Sequence, residues 1–354
     1  MFKKKSLCII GIAAALMLSA CGQNEENVIV AEDGNVSNGD ISIITDSEEG
    51  EKAELTRPPE EVRVELTIGV VKNDGSAMAL SALAAENEND GCFEKYKFAY
   101  ADNYTALAEQ LKNKTIGAAI LPPTKALDLY ATDKSVKVLA SISNMSYSII
   151  GDGINSFSDL AGKKVYVSGD DKTSSCIMTK IIAYAGVKDC TVESVADNKT
   201  LFEMVKNGEA QCALVEEPYT SMLKKSGVQI HEYDFGEDWV NAAEGYDYCT
   251  GVLVATNEFL ETNKSVVDYM LDDIERSLET INNDTKAYGE NAVKFGFADD
   301  AQVAEEAYVG MDYDFEKDSD MRFVVNNMFG VFDNAGQDVL GTDVPDEGFY
   351  VVKD

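Results

Sequence analysis

Short apolar runs alternate along this chain with stretches of helical period, and the alternation begins near residue 64. Val64 to Val71, VELTIGVV, is rich in β-branched residues and predicts a strand. Asn73-Asp74-Gly75 then turns, Ser76 can cap, and AMALSALAAE reads as a helix. Lys97 to Ala101 predicts a second strand. Asp102 or Asn103 can cap the helix after it, which carries Leu107 and Leu111 on one face. Ile116 to Leu121 is apolar without alternation, the pattern of a strand buried on both faces. Pro122 and Pro123 stop it, and TKALDLYA begins another helix, whose first position tolerates proline because its N–H has no partner there.

The later half repeats this order. KKVYVS, ending at Ser168, predicts a strand; SGDDKTSS turns; CIMTKIIAYAG predicts a helix with Ile177, Ile181 and Ile182 inward and Gly186 as its stop. Cys190 to Val195 predicts a short strand, and Ala-Asp-Asn recurs at Ala196 as it stands at Ala101. A helix carrying Leu201 and Val205 ends in Lys206-Asn207. An apolar strand from Ala210 to Val215 then runs into Glu216-Glu217-Pro218 and a further helix. The two series lie about 94 residues apart, with one residue of slip. Chance supplies helices readily, but not the matched order of cap, Lys-Asn, strand and proline.

The expectation is an α/β fold of two similar lobes with mostly parallel sheets, joined by two hinge segments. The hinge segments are Val138 to Ile150 and Thr250 to Thr256. Beyond the second, NEFLETNKSVVDYMLDDIERSLETIN predicts a long amphipathic helix with Val266, Met270, Ile274, Leu278 and Ile281 on one side. Helical stretches near Val293 and from Met321 to Phe332 are expected to pack on the first lobe. Sites in such sheets lie beyond the carboxyl ends of the strands, where helix starts expose N–H groups. Leu121-Pro122-Pro123-Thr124 and Val215-Glu216-Glu217-Pro218 are strand ends of this kind. Carboxylates at a helix start also suit its dipole, the plainer explanation of Glu216 and Glu217.

The first sixty residues change the picture, because they do not belong to this pattern. Lys3-Lys4-Lys5 precede an apolar run from Leu7 to Leu18 that is too short to span a bilayer. Leu18-Ser19-Ala20-Cys21 follows. This segment resembles a bacterial lipoprotein signal, which implies lipidation of Cys21 and extracytoplasmic anchoring. Residues 22 to 60 are acidic, rich in Gly, Asn and Ser, and without aromatics, the composition of a self-repelling tether. The expected division is a signal over 1–20, a lipidated tether over 21–60, lobe one over 61–145 and 251–354, and lobe two over 146–250. The net charge of −33 opposes nucleic-acid binding.

Candidate chemistry is sparse. Cys92, Cys176, Cys190, Cys212 and Cys249 form no CxxC pair, and their number is odd, so no disulfide framework is indicated. His231 is the only histidine, and no zinc, nucleophile-elbow or phosphate-loop motif occurs. Glu216 and Glu217 point to alternate faces if extended and make a poor acid–base pair. No enzyme, cofactor or metal is expected.

The runs GAAILPPTKALDLYA, Phe157 to Val165 leading into VSG, NGEAQCALVEEP and GVLVATNEFLETN are similar to those of ABC-importer solute-binding lipoproteins. More narrowly they resemble the nitrate/sulfonate/taurine and thiamine-precursor branch of the type II periplasmic-binding fold. The likeness runs from about residue 64 to 335. It implies a monomeric clamp that closes on a small solute and presents it to a membrane permease. Carried over residue by residue, it implies ligand contacts at Gly75, Ser76, Pro122, Pro123, Thr124, Ser143, Asn144, Ser168, Gly169, Thr173, Ser174, Glu216 and Glu217. Turn and capping roles are the alternative for Gly75, Gly169, Ser76 and Ser174.

The body has only Arg63, Arg276 and Arg322, none in a cleft segment. A neutral or cationic amino-heterocycle, such as a thiamine-precursor pyrimidine, is therefore the favoured solute. Tyr147, Tyr219, Trp239 and Tyr248 are available to stack on it. An anionic sulfonate, a pyrimidine-forming enzyme on the same fold, and an adhesin or sensor lipoprotein are the alternatives.

Overall fold

The structure, a computed structural model, describes residues 58–144, 147–246, 248–281, 283–335 and 339–353. The expected signal, Cys21 and nearly all of the tether lie outside the described residues. Eleven strands are described: β1 (Glu65–Val71), β2 (Lys95–Ala101), β3 (Ala118–Leu121), β4 (Val136–Ser143), β5 (Tyr147–Gly151), β6 (Lys164–Ser168), β7 (Thr191–Val195), β8 (Cys212–Glu216), β9 (Glu232–Asp234), β10 (Gly251–Thr256) and β11 (Glu316–Lys317). They form two sheets, ordered β11-β4-β10-β3-β1-β2 and β7-β6-β8-β5-β9. Setting aside the edge strand β11, the two orders match strand for strand: β2-β1-β3-β10-β4 and β7-β6-β8-β5-β9.

In each matched set of five, four strands run the same way, as expected, and one runs against them. β1 pairs in parallel with β2 and β3, and β6 with β7 and β8. β10 runs antiparallel to β3 and β4, and β5 antiparallel to β8 and β9. The cause is the double crossing. β5 carries the chain out of the first sheet and β10 brings it back, and each inserts antiparallel between the third and fourth strands of the sheet it joins.

The repeat is present in coordinates. Helices Tyr104–Lys112 and Asn198–Lys206 begin and end 94 positions apart. Asn103 Oδ1 accepts the Ala106 N–H at 2.8 Å, and Asp197 Oδ1 accepts the Thr200 N–H at 2.7 Å. Each side chain thus satisfies one of the orphan donors at its helix start. β3 and β8 also begin 94 positions apart, and both are buried throughout. Pro123 opens the helix Pro123–Asp133, whereas Pro218 sits one step before the helix Tyr219–Lys225.

The long amphipathic helix is broken in two, Asn257–Thr262 and Val267–Ile281. Its predicted apolar stripe is nevertheless buried, with Met270 and Ile274 fully so. Asp273 interrupts that stripe. Its carboxylate accepts from the Phe93 N–H at 2.7 Å, the Glu94 N–H at 3.1 Å and the Tyr96 hydroxyl at 2.7 Å, and pairs with Arg276 at 2.6 Å. A buried charge persists there because every oxygen is engaged. Cys92, Cys176, Cys190 and Cys212 are free thiols, and Cys212 is buried in β8. His231 bonds through Nε2 to the Ile154 carbonyl at 2.9 Å, a structural tie.

One glycine ties the fold to the site. A Cβ on Gly251, where β10 re-enters the first sheet, would lie 2.4 Å from Ser76 Cβ and 2.8 Å from Ser143 Oγ. No side chain fits there without pushing apart the strand ends that carry those serines.

Candidate functional site

Each lobe offers a first strand, a turn and a helix start. In the first lobe β1 is followed by Asn73, which adopts a left-handed φ of 57° that asparagine tolerates. Asp74 comes next and caps: its Oδ1 accepts the Ser76 N–H at 2.9 Å. Its other oxygen, Oδ2, is buried without a hydrogen-bond partner, while the nearby Tyr104 hydroxyl favours the ionised carboxyl. Burial pushes the Asp74 carboxyl up to about 7. In the second lobe β6 is followed by Ser168, Gly169, Asp170 and Asp171. Asp171 Oδ1 accepts the Thr173 N–H at 2.5 Å, and burial raises this carboxyl too. Glu216, at the end of β8, is 4% exposed and accepts a bond from Asn198 Nδ2. Burial, reinforced by the charge of Asp171, holds it well above the ordinary carboxylate range, while the Tyr147 hydroxyl opposes that shift.

A cavity of about 20 Å³ lies between these turns. That is room for a water molecule, not a heterocycle. The first lobe supplies Asn73, Asp74, Asn103 and Tyr104 to its wall, and the second supplies Asp170, Asp197, Asn198, Lys199, Glu216 and Tyr219. Carboxylates outnumber the one cation, Lys199.

Side chains from opposite lobes meet around it. Asp170 accepts from the backbone N–H groups of Tyr104 and Thr105 and from the Thr105 hydroxyl. Lys125 Nζ donates to the Asp170 carbonyl at 2.8 Å, and Lys172 pairs with Asp128 at 2.7 Å. Thr124 Oγ1 lies 3.0 Å from Thr173 Oγ1 and 3.3 Å from Asp171.

Of the residues expected to touch ligand, Glu216 lines this cavity. Ser76, Thr124 and Thr173 instead hydrogen-bond to Asp74 or Asp171 and so hold the carboxylates in place. Ser143 Oγ donates to Ser76 Oγ at 2.7 Å, and the Gly75 carbonyl accepts from Tyr313 at 3.0 Å. Pro122 and Pro123 are buried at the helix start behind Thr124. Asn144 forms a backbone bridge with Asp312 across the hinge side. Ser168 Oγ is buried without a partner, a Cβ on Gly169 would meet the Val195 carbonyl at 2.6 Å, and Ser174 faces Tyr147. Glu217 turns the other way. It accepts the Ser221 N–H at 3.1 Å and borders a separate groove beside Gly310.

Among the aromatics, Tyr219 lines the cavity and Tyr147 backs Glu216. Trp239 is 1% exposed and packs edge-on against Tyr248, which packs edge-on against Tyr147, at 5.2 and 5.6 Å. Trp239 and Tyr248 therefore support the wall and do not form it. The sequence reading missed Asp74, Tyr104 and Asp170 as wall residues. The signal was there in the Asn73-Asp74 and Asp170-Asp171 pairs, each placed between a strand and a helix start. Among the described residues no cluster of His, Cys, Asp or Glu is arranged to hold a metal ion, and no helix is long and apolar enough to cross a membrane.

A family model described as NMT1/THI5 like matches residues 93–287, more than half of the chain. The chain belongs to the NMT1/THI5-like family. The branch suggested by its motifs is therefore the right one, and the matched span of this NMT1/THI5-like chain holds β8, the Asp170 loop and the first lobe's Tyr104. No curated protein sequence matches the chain. Solved structures share its fold at low identity. The alkanesulfonate-binding protein SsuA from Xanthomonas axonopodis pv. citri, bound to MOPS, superposes with a TM-score of 0.64 at 13% identity, covering 82% of this chain and 98% of that one. The ligand-binding component of an ABC-type import system from Staphylococcus aureus gives 0.63 at 14% identity, covering 76% and 91%. An ABC transporter protein from Parabacteroides distasonis gives 0.60 at 16% identity, covering 82% and 99%.

Proposed function

We propose that this protein is the extracytoplasmic solute-binding component of an ABC importer. It captures a neutral or cationic amino-heterocycle between lobe one (61–145 and 251–354) and lobe two (146–250) and hands it to a membrane permease. Lipid on Cys21 and the acidic tether would keep it near that permease. The reading has no catalytic step. The fold shared with import-system binding proteins and the NMT1/THI5-like match support the clamp.

The solute class rests on one observation: the unpaired, buried Oδ2 of Asp74 in the wall of the same cavity as Glu216. Burial opposes ionisation of Asp74, and a solute that brings N–H donors or positive charge to Oδ2 offsets that cost. A sulfonate would add a further anion beside the Asp170 carboxylate in the same wall. Tyr104 and Tyr219 line the same cavity and supply its aromatic surface. The cavity is too small to admit any such molecule, so the lobes must part at the two crossings and close again.

The second reading, an anionic sulfonate, draws on the alkanesulfonate-binding neighbour and on Lys199 in the wall. Calorimetric titration of the full chain with a 4-aminopyrimidine and with ethanesulfonate decides between them. Binding of the pyrimidine without the sulfonate supports the proposal; binding of the sulfonate alone replaces it.

A further inference from the structure

The start of helix Tyr104–Lys112 is already occupied by a carboxylate from the opposite lobe. Its first two N–H groups, on Tyr104 and Thr105, both donate to Asp170, and the third, on Ala106, donates to Asn103. The Thr105 hydroxyl adds a bond to Asp170 at 2.8 Å, and Lys125 grips the Asp170 carbonyl at 2.8 Å. Asp170 is 8% exposed. N–H groups of this kind, with the positive end of the helix dipole behind them, are what an anionic ligand uses.

The repeat shows that this arrangement is one-sided. Asp171 matches Asp74, since each caps the residue two ahead. Asp170 therefore matches Asn73. Asn73 is neutral and bonds to Asp299 at 2.8 Å, not to the N–H groups of the second lobe's helix start. The positions matching Tyr104 and Thr105 are Asn198 and Lys199, and they line the cavity. One helix start is filled from across the cleft, and its twin faces the solute space.

We propose that Asp170 is the residue that sets solute charge in this clamp: its carboxylate takes the anion place at the first lobe's helix start, excludes anionic solutes, and latches the lobes together. The inference rests on the solute-clamp reading and deepens it. Exclusion works by repulsion as well as by occupancy, because a bound anion would sit against Asp170 itself. The latch works because the bonds join a charged acceptor to donors of the other lobe and exist only when the lobes are shut.

The test compares the full chain with its Asp170→Ala variant, using ethanesulfonate as the probe and small-angle scattering for compactness. The expected result is a larger ligand-free radius of gyration in the variant and ethanesulfonate affinity at least about tenfold above wild type. A variant that melts cooperatively, stays as compact as wild type and gains no ethanesulfonate affinity overturns the inference. If alanine prevents folding, Asp170→Asn removes the charge and keeps one acceptor; equal ethanesulfonate affinity in Asp170→Asn and wild type overturns it as well. The solute reading fails separately, when wild type ignores the aminopyrimidine whatever Asp170 does.

Discussion

Asp74 and Asp171 occupy matching places in the two lobes: each carboxylate accepts the backbone N–H two residues ahead, Ser76 at 2.9 Å and Thr173 at 2.5 Å. The two lobes bring this pair and Glu216 into mutual electrostatic range, so the site holds three buried acids whose ionisation is opposed. The physical consequence is a protein whose closed, ligand-free form prefers protons.

Stability should therefore depend on pH in an unusual direction. Asp74 moves from an ordinary 3.8 to about 7 in the folded chain. A raised folded value means that the stabilisation is complete below the unfolded value and is lost as pH rises through the folded one. The ligand-free melting temperature should fall between about pH 4 and pH 7. Asp74→Asn should flatten that slope, as scanning calorimetry across the range would show. An unchanged slope in the variant would remove Asp74 from the account.

Glu216→Gln separates binding from stability. The amide keeps the shape of the side chain and cannot ionise, so the ligand-free chain should lose less stability than wild type as pH rises. Solute affinity should fall by about ten- to a hundredfold, the worth of a hydrogen bond to a charged group. Calorimetric titration beside thermal melting reads both quantities.

Glu217→Ala should behave differently, although the two residues are neighbours. Its carboxylate bonds to the Ser221 N–H and faces another groove. Solute affinity should change by less than about threefold, with a stability loss of about 1 kcal/mol from the lost bond. A binding defect equal to that of Glu216→Gln would show that both carboxylates reach the solute.

The aromatic column gives a further contrast. Trp239→Ala opens a hole behind Tyr248 and Tyr147 and should cost about 3–5 kcal/mol in denaturant unfolding. At temperatures where the variant stays folded, its solute affinity should be near wild type.

Asp273→Ala removes the acceptor for two backbone N–H groups and a tyrosine and takes one of three carboxylate partners from Arg276. The expected loss is about 3–5 kcal/mol with no change in solute preference. A milder effect would mean that water replaces the carboxylate.

Much of this was legible in the sequence because it is local. Cap, helix and strand recur within short windows, and the 94-residue offset survives intact in helices Tyr104–Lys112 and Asn198–Lys206. Glu216 was legible because a strand that ends in a carboxylate before a helix has few places to put it. The antiparallel insertions were not legible, since β5 and β10 look like any apolar run until their crossings are known. Asp170 was read only as part of the SGDDKTSS turn, because its partners Tyr104 and Thr105 lie on the other lobe and no local period encodes that contact. Asp74 was read as a turn residue for the same reason: its burial is made by Tyr104 and the opposite lobe.

The most direct test of the clamp is a crystal structure of the full chain with a bound 4-aminopyrimidine. The account predicts solute density between the lobes, with a ring nitrogen or amino group within hydrogen-bond reach of Asp74 Oδ2 or Glu216. Density on an outer face, or a solute between the lobes that touches neither carboxylate, would contradict it.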